Sequence, residues 1–477
     1  MEGVSGESSG FFRVGPAEQG KATCFAVRRG DIRATANAYV LFSEHFGDLK
    51  RLSLCRYRLG TVGEMLAVVQ DGLHGVRRYV SDGVPLLGVG NITEDGIDLT
   101  EVNRITPEEH ARLAASHVRR GDLLVTITGR LGTAAIYPSD APANLSAHVA
   151  LCRAKPGYEL LYLKYYLASR FGAASLTRAQ IGSTHPHINV RRLAELPIPL
   201  PGQNKQKELA AAMESAREAR RTRLTEADSL LNGLDGFMQH ALGAVPVEKD
   251  GRKVFAITQA KIGARLDPHF YLPAFAQKSS SLKTIGSEQL GDIVTFSNEV
   301  WNPELHDGAT FRYIEISAIN LNTGEAIAED VPVAHAPNRA RMLLRDKDII
   351  VSLTRPHHGA IARINASLAG SVASTGFAVI REVDESKVSR DYLWCILRSR
   401  LCLDQMLQRA SGGNYPAITE AELSKVLVPV PEFAVQKQIT TEAQRRGEDA
   451  LQLRTGAETE WRNVQRWFED QLLGQAK

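Results

Sequence analysis

Apolar residues recur at intervals of three and four along two stretches of the chain. In the first they are Leu209, Met213, Ala216, Leu224, Ala227, Leu231, Leu234, Met238 and Ala241, interrupted by Arg220. That spacing draws one stripe along a helix and matches a coiled-coil seam. The helix is predicted to begin after a proline-punctuated segment, Pro197, Pro199 and Pro201, a natural place for a helix start. A shift of 230 residues lands on a second stripe, Ile439, Ala443, Ala457, Trp461, Val464 and Phe468, which follows Pro429 and Pro431. Arg446 and Arg454 interrupt it, and Ala450 falls at the place of Arg220, so each helix is expected to be polar where the other is apolar or small. Ahead of each stripe the pattern changes to short apolar runs bounded by charges, Gly or Pro. Asp122 to Thr128 and Asp348 to Thr354 are two of them, and both predict strands.

The same shift exposes a duplication. It carries YLKYYLASR (Tyr162 to Arg170) onto YLWCILRSR (Tyr392 to Arg400). It also carries His185-Pro186-His187-Ile188 onto Tyr415-Pro416-Ala417-Ile418, LAELPIPLP (Leu193 to Pro201) onto LSKVLVPVP (Leu423 to Pro431), and Gln206-Lys207 onto Gln436-Lys437. With small drifts, Phe25 pairs with Phe255, Arg33 and Tyr39 with Arg265 and Tyr271, and Leu59-Gly60 with Leu290-Gly291. The expected division is a tail at 1–24, a first head at 25–201, a first long helix at 202–243 and a linker at 244–254. A second head at 255–431 and a second long helix at 432–474 complete it. The linker reaches at most about 36 Å. The second copy must therefore start near the far end of the first helix, and an antiparallel helix pair is predicted. The expected fold is mixed α/β: two similar globular domains joined by a long two-helix antiparallel coiled coil, a tandem duplication with a pseudo-twofold axis.

Composition narrows the function. The 57 Lys+Arg against 54 Asp+Glu leave a net charge of only +3 in 477 residues. Contact with a polyanion must come from local patches and not from a global field. Over 25–201 there are 21 basic and 16 acidic residues, and over 255–431 there are 18 and 19, so the second head must concentrate its basic residues on one face. The five cysteines are odd in number and form no C-x-x-C pair, which argues against a disulfide framework and a thiolate zinc site. No apolar run approaches a membrane span, and Met1 to Phe12 lacks the pattern of a signal peptide, so a cytoplasmic location is expected.

Catalytic signatures fail one by one. Gly15-x4-Gly20-Lys21 has the outline of a phosphate loop, but Ala22 stands where Ser or Thr should hold Mg2+. Gly88-Val89-Gly90 lacks the third glycine of a dinucleotide fingerprint. Asp267-Pro268-His269-Phe270 is close to the adenine clamp of methyltransferases, with His at the second Pro and no Gly-rich cofactor motif before it.

The duplicated head-plus-helix plan carries a repeated exit signature: a Gly-rich turn, an Ile, L-x-x-L-x-[IV]-P-x-P, then Gln. It reads Gly182…Leu193–Pro201…Gln206 and Gly412…Leu423–Pro431…Gln436. In these features, over about 25 to 474, the chain resembles the specificity subunit of type I restriction–modification systems. His185-Pro186-His187 departs from the usual small-residue turn, and residues 1–24 have no counterpart. The resemblance implies a non-catalytic subunit in which each head reads half of a split double-stranded DNA site. The rod would set the spacing and dock two methyltransferase subunits, with restriction motor subunits completing the complex and no membrane involved. It implies no cofactor on this chain; S-adenosylmethionine, ATP and Mg2+ belong to the partners.

Candidate DNA contacts lie on two turns per head. One pair follows equivalent strands, Thr128-Gly129-Arg130-Leu131-Gly132 and Thr354-Arg355-Pro356-His357-His358-Gly359, where hydroxyl, guanidinium and flexible backbone suit phosphate or a guanine edge. The other pair surrounds His185 and His187, and Asn414 and Tyr415; Arg77 and Arg78 are further phosphate candidates. Two alternatives stay open: a self-contained DNA methyltransferase or nuclease with degenerate motifs, and a coiled-coil scaffold that does not bind DNA. Cofactor binding by the isolated chain separates the first, and DNA capture with a partner methyltransferase separates the second.

Overall fold

The principal helices are α1 (Leu160–Ala168), α2 (Arg170–Ala179), α3 (Gln203–Ala241), α4 (Arg390–Leu397), α5 (Arg400–Arg409) and α6 (Phe433–Leu472). They belong to a computed structural model that describes residues 11–14, 17–18, 21–22, 25–28, 43–72, 78–181, 186–244, 255–258, 262–263, 265–306 and 308–474. The chain divides into two units, one of residues 1–222 with 456–477 and one of residues 223–455. The division does not follow the head-then-helix order of the sequence. It cuts α3 after Thr222 and α6 after Thr455, so each unit holds one head and a segment of both long helices.

The head of the first unit has two four-stranded sheets. One runs Ala134–Ile136, Leu123–Thr126, Val149–Ala154, Leu66–Asp71, antiparallel throughout. The other runs Asn103–Ile105, Val84–Leu87, Ala143–Leu145, His117–Val118, with a parallel pair at its centre. The strand Leu123–Thr126 is apolar on both faces because both are covered. Leu123 and Val125 pack with Tyr162, Tyr166 and Phe171 of α1 and α2, while Leu124 packs with Leu87 and Leu145 of the second sheet. The head of the second unit repeats both strand orders, with Ile349 and Val351 facing the α4/α5 core and Ile350 facing the other sheet.

The exit signature has a local reason in each unit. Pro197–Pro199 is a strand paired with Leu59–Thr61. Residues of one parity bond the partner: Val62 N–H donates to Leu196 O at 2.9 Å and Leu200 N–H to Arg58 O at 2.8 Å. The prolines occupy the other parity, where no N–H is needed, and their carbonyls accept from Tyr166 at 2.5 Å and Tyr162 at 2.8 Å. In the second unit Leu427–Pro429 pairs with Ser287–Gln289, and Tyr392 donates to Pro429 O at 3.0 Å. The repeated glutamine is a buried latch. Gln206 accepts from Glu159 N–H at 3.1 Å and donates to Pro201 O at 2.8 Å. Gln436 accepts from Ser389 N–H at 2.8 Å and donates to Pro431 O at 2.9 Å.

Within each unit the two long-helix segments run antiparallel. In the first, Arg220 binds Glu458 at 2.7 Å, while Leu209 and Met213 join Phe468 and Leu472 in the head's core. In the second, Arg454 binds Asp228 at 2.6 Å and Arg446 donates to Leu230 O at 3.4 Å. The polar interruptions are therefore met by a carboxylate or carbonyl of the facing helix and not by a small residue at the same register. Ala450 packs buried in its own unit. The expected tail is also corrected. Phe11–Val14 pairs antiparallel with Phe25–Arg28, so a boundary at 24 falls inside a β-ribbon of aromatic and β-branched residues. Lys21–Ala22 pairs with Ala17–Glu18, so Lys21 of the phosphate-loop outline lies on a strand and not at a helix start.

Candidate nucleic-acid interface

In the first head, the strand Leu123–Thr126 runs into a tight turn closed by Thr126 N–H to Thr133 O and Gly132 N–H to Thr126 O, both 2.9 Å. Gly129 and Gly132 have φ of +72° and +81°, and a Cβ at Gly132 would strike Leu176. A second segment is stitched to this turn: Gly129 N–H donates to Pro186 O at 3.1 Å and Ile188 N–H to Ile127 O at 2.9 Å. Thr128 and His187 are bridge partners, and Thr128 Oγ1 lies 3.2 Å from His148 Nδ1, a neighbour that no sequence signal marked. Arg130 and His187 are exposed.

The second head repeats the stitching bond for bond. Arg355 N–H donates to Pro416 O at 2.7 Å and Ile418 N–H to Leu353 O at 2.8 Å, and Thr354 bridges Ala417. The two turns expected to be separate candidates are thus one surface in each head. The turn closes between Ser352 and Ala360, one residue longer than between Thr126 and Thr133, so Arg355 stands at the position of Gly129 and not of Arg130. It adopts the same left-handed backbone, φ +47°, although it is not glycine. Its guanidinium lies 4.3 Å from the centre of the Tyr415 ring and donates to Asn414 O at 3.4 Å. Tyr415 is 71% exposed. His357 and His358 meet edge to face at 4.5 Å. Burial pushes the His357 pKa down, His358, Arg400 and Arg355 add to that, and Asp404 opposes it.

Other candidates fall elsewhere. Arg78 is exposed beside Val80, which pairs with Arg104 at the edge of the other sheet. Arg77 and His185 lie outside the described residues. Asp267 is bound by Arg265 at 2.9 Å, and the Arg265 guanidinium covers Phe270, so Asp267–Phe270 forms an internal latch. Among the described residues no cluster of His, Cys, Asp or Glu is arranged to hold a metal, and no helix is long and apolar enough to cross a membrane.

Residues 82–226 match the type I restriction modification DNA specificity domain, an interval that contains the whole first turn pair and the first part of α3. The chain is 28% identical over 138 residues to the type I restriction enzyme EcoBI specificity subunit of Escherichia coli, covering 28% of this chain and 29% of that one. It is 21% identical over 391 residues to the MjaX specificity subunit of Methanocaldococcus jannaschii, covering 79% of this chain and 83% of that one. The chain is similar to specificity subunits of type I restriction–modification systems, and the DNA specificity domain is matched over residues 82–226. The match thus spans under a third of the E. coli relative's length and most of the archaeal one. Among solved structures, the type I S subunit from M. genitalium is 14% identical with a TM-score of 0.45, over 89% of this chain and 97% of that chain.

Proposed function

We propose that this chain is a specificity subunit that supplies sequence recognition to a type I restriction–modification complex, each head reading one half of a bipartite duplex site. The observation that carries the reading is the turn-on-turn surface built twice, bond for bond, on one duplicated fold. In the first head the contacting residues are Thr128, Arg130 and His187. In the second they are Thr354, Arg355, His357, His358, Asn414 and Tyr415. The stacked Arg355 offers a pre-oriented guanidinium fork of the kind that pairs with guanine O6 and N7. Two methyltransferase subunits dock on α3 and α6 and carry S-adenosylmethionine. Motor subunits carry ATP and Mg2+, and this chain holds no cofactor.

The test is a head exchange. Residues 255–431 are replaced by the equivalent head of a relative, and the methylated sequence is read in cells carrying the methyltransferase. One half of the site changes and the other does not. A site altered in both halves rejects independent reading.

A further inference from the structure

The first unit contains a cavity of about 360 Å3, within the size range of small-molecule sites. Gly132 of the recognition turn, Lys164 of α1, Arg217 and Arg220 of α3, and Trp461 of α6 all border it. Lys164 is the unusual member. Its side chain is only 10% exposed, and its closest counter-charge is Glu214 at 3.9 Å, beyond hydrogen-bond reach. Glu214 is already engaged: Tyr165 donates to one oxygen, and Arg217 donates to the other. The ammonium makes no hydrogen bond among the described residues; it lies 5.0 Å from the centre of the Tyr165 ring and borders the cavity, where its three N–H donors are free to meet a ligand. Burial pushes the Lys164 pKa down, and Glu214 acts against that.

The second copy does not keep this feature. The shift of 230 places Trp394 on Lys164 and Arg398 on Ala168. Trp394 is sandwiched by the guanidiniums of Arg363 and Arg398 at 4.3 and 4.6 Å, and Arg398 donates to the carbonyls of Leu321 and Asn322. The equivalent place is thus occupied by large side chains, with Trp394 Nε1 and Arg398 Nε buried there without a hydrogen-bond partner among the described residues. Glu94 and Asp95 also border the first unit's cavity; both are exposed, and their charges act on Lys164 in the same sense as that of Glu214.

We propose that this cavity is a binding site for a phosphate group, carried by a mononucleotide or by the DNA backbone, with Lys164 as its buried cation and Trp461 as an aromatic wall. The nucleotide source is independent of how the heads read DNA. The backbone source rests on that reading, and the head exchange tests the reading separately.

The experiment measures binding of adenosine monophosphate, inorganic phosphate and a short duplex to the full chain and to two variants. Lys164→Met removes the cation at similar length, and Ala168→Arg places a bulky side chain on the cavity's border, where the second copy carries Arg398. Binding of the nucleotide and of phosphate, weakened about tenfold or more in both folded variants, assigns the site to a free nucleotide. No binding of either, with duplex affinity weakened in both variants and its salt slope reduced by about one, assigns it to the DNA backbone. Should Lys164→Met not fold, Ala168→Arg decides alone. Wild-type affinity for all three probes in a folded variant overturns the proposal.

Discussion

Asp122 and Asp348 hold the same place in the two heads, at the entry to the central strand. Each accepts a backbone N–H three residues upstream at 2.7 Å and a guanidinium Nε at 2.7 Å, from Arg153 or Arg381. Removing Asp122 leaves the largely buried Arg153 without its carboxylate, whereas Arg381 also pairs with Glu299 at 2.8 Å. Asp122→Ala should destabilise the first unit by about 3–5 kcal/mol, while Asp122→Leu with Arg153→Met should lose much less, as urea unfolding will measure. Equal losses would show that packing, not charge pairing, sets the cost. The sequence displayed the repeated Asp but not its partner, which lies about thirty residues downstream on a neighbouring strand. Arg355 presents the opposite balance. A non-glycine residue in the left-handed region costs about 1 kcal/mol or more. Arg355→Gly should therefore leave stability unchanged or raise it by up to about 1 kcal/mol, while weakening recognition of one half-site. A variant that unfolds more easily and still methylates normally would make Arg355 structural.

Helix ends are secured by carboxylates that no local pattern announces. Arg170 N–H, at the start of α2, donates to Glu469 of α6 at 2.8 Å, and Arg400 N–H, at the start of α5, donates to Asp235 of α3 at 2.8 Å. Each head is thus capped by the far end of the other copy's long helix. Asp235→Ala and Glu469→Ala should each cost about 1 kcal/mol in thermal melts, and a loss within error would leave the caps to water. Burial raises the Glu469 pKa above 4.5, the Arg170 amide and charge oppose this, and Asp48 and Asp470 add to it. Its stabilising contribution is therefore complete below about 4.5 and lost as pH rises through the raised value. Against Glu469→Gln, which keeps an acceptor oxygen, the wild type should lose stability as pH rises above about 4.5. A relative gain over that window would reverse the assigned sign. The helix stripes themselves were legible from spacing alone, because a helix repeats its face every few residues.

For the whole molecule, the long helices are proposed to set the spacing between half-sites. The Arg220–Glu458 pair fixes the register, which places Thr222 opposite Gly456. One heptad inserted after Thr222 and one after Thr455 therefore lie across from each other and keep the seam in phase. Each helix lengthens by about 10.5 Å, close to three base pairs of duplex, with roughly 105° of added rotation. The variant complex should prefer a longer spacer or bind poorly when methylated sites are sequenced. Full methylation at the original spacing would leave the helices as docking surfaces alone.

The sequence by itself determined the duplication, the two helix stripes, the central strands and the proline exit, because these depend on residues a few positions apart or on a repeat that any alignment of the chain with itself reveals. Only the tertiary structure decided that each turn pair is one surface, that Arg355 replaces a glycine, and that Lys164 is buried beside a cavity. It also decided that each head is capped by the other copy's helix. Those outcomes rest on hydrogen bonds and burial between residues some 60 to 300 positions apart, and such pairs leave no periodic trace along the chain. The physical reason is that propensity acts within a turn of helix or strand, whereas an unpaired donor or a strained backbone acquires its meaning only from what folding places next to it.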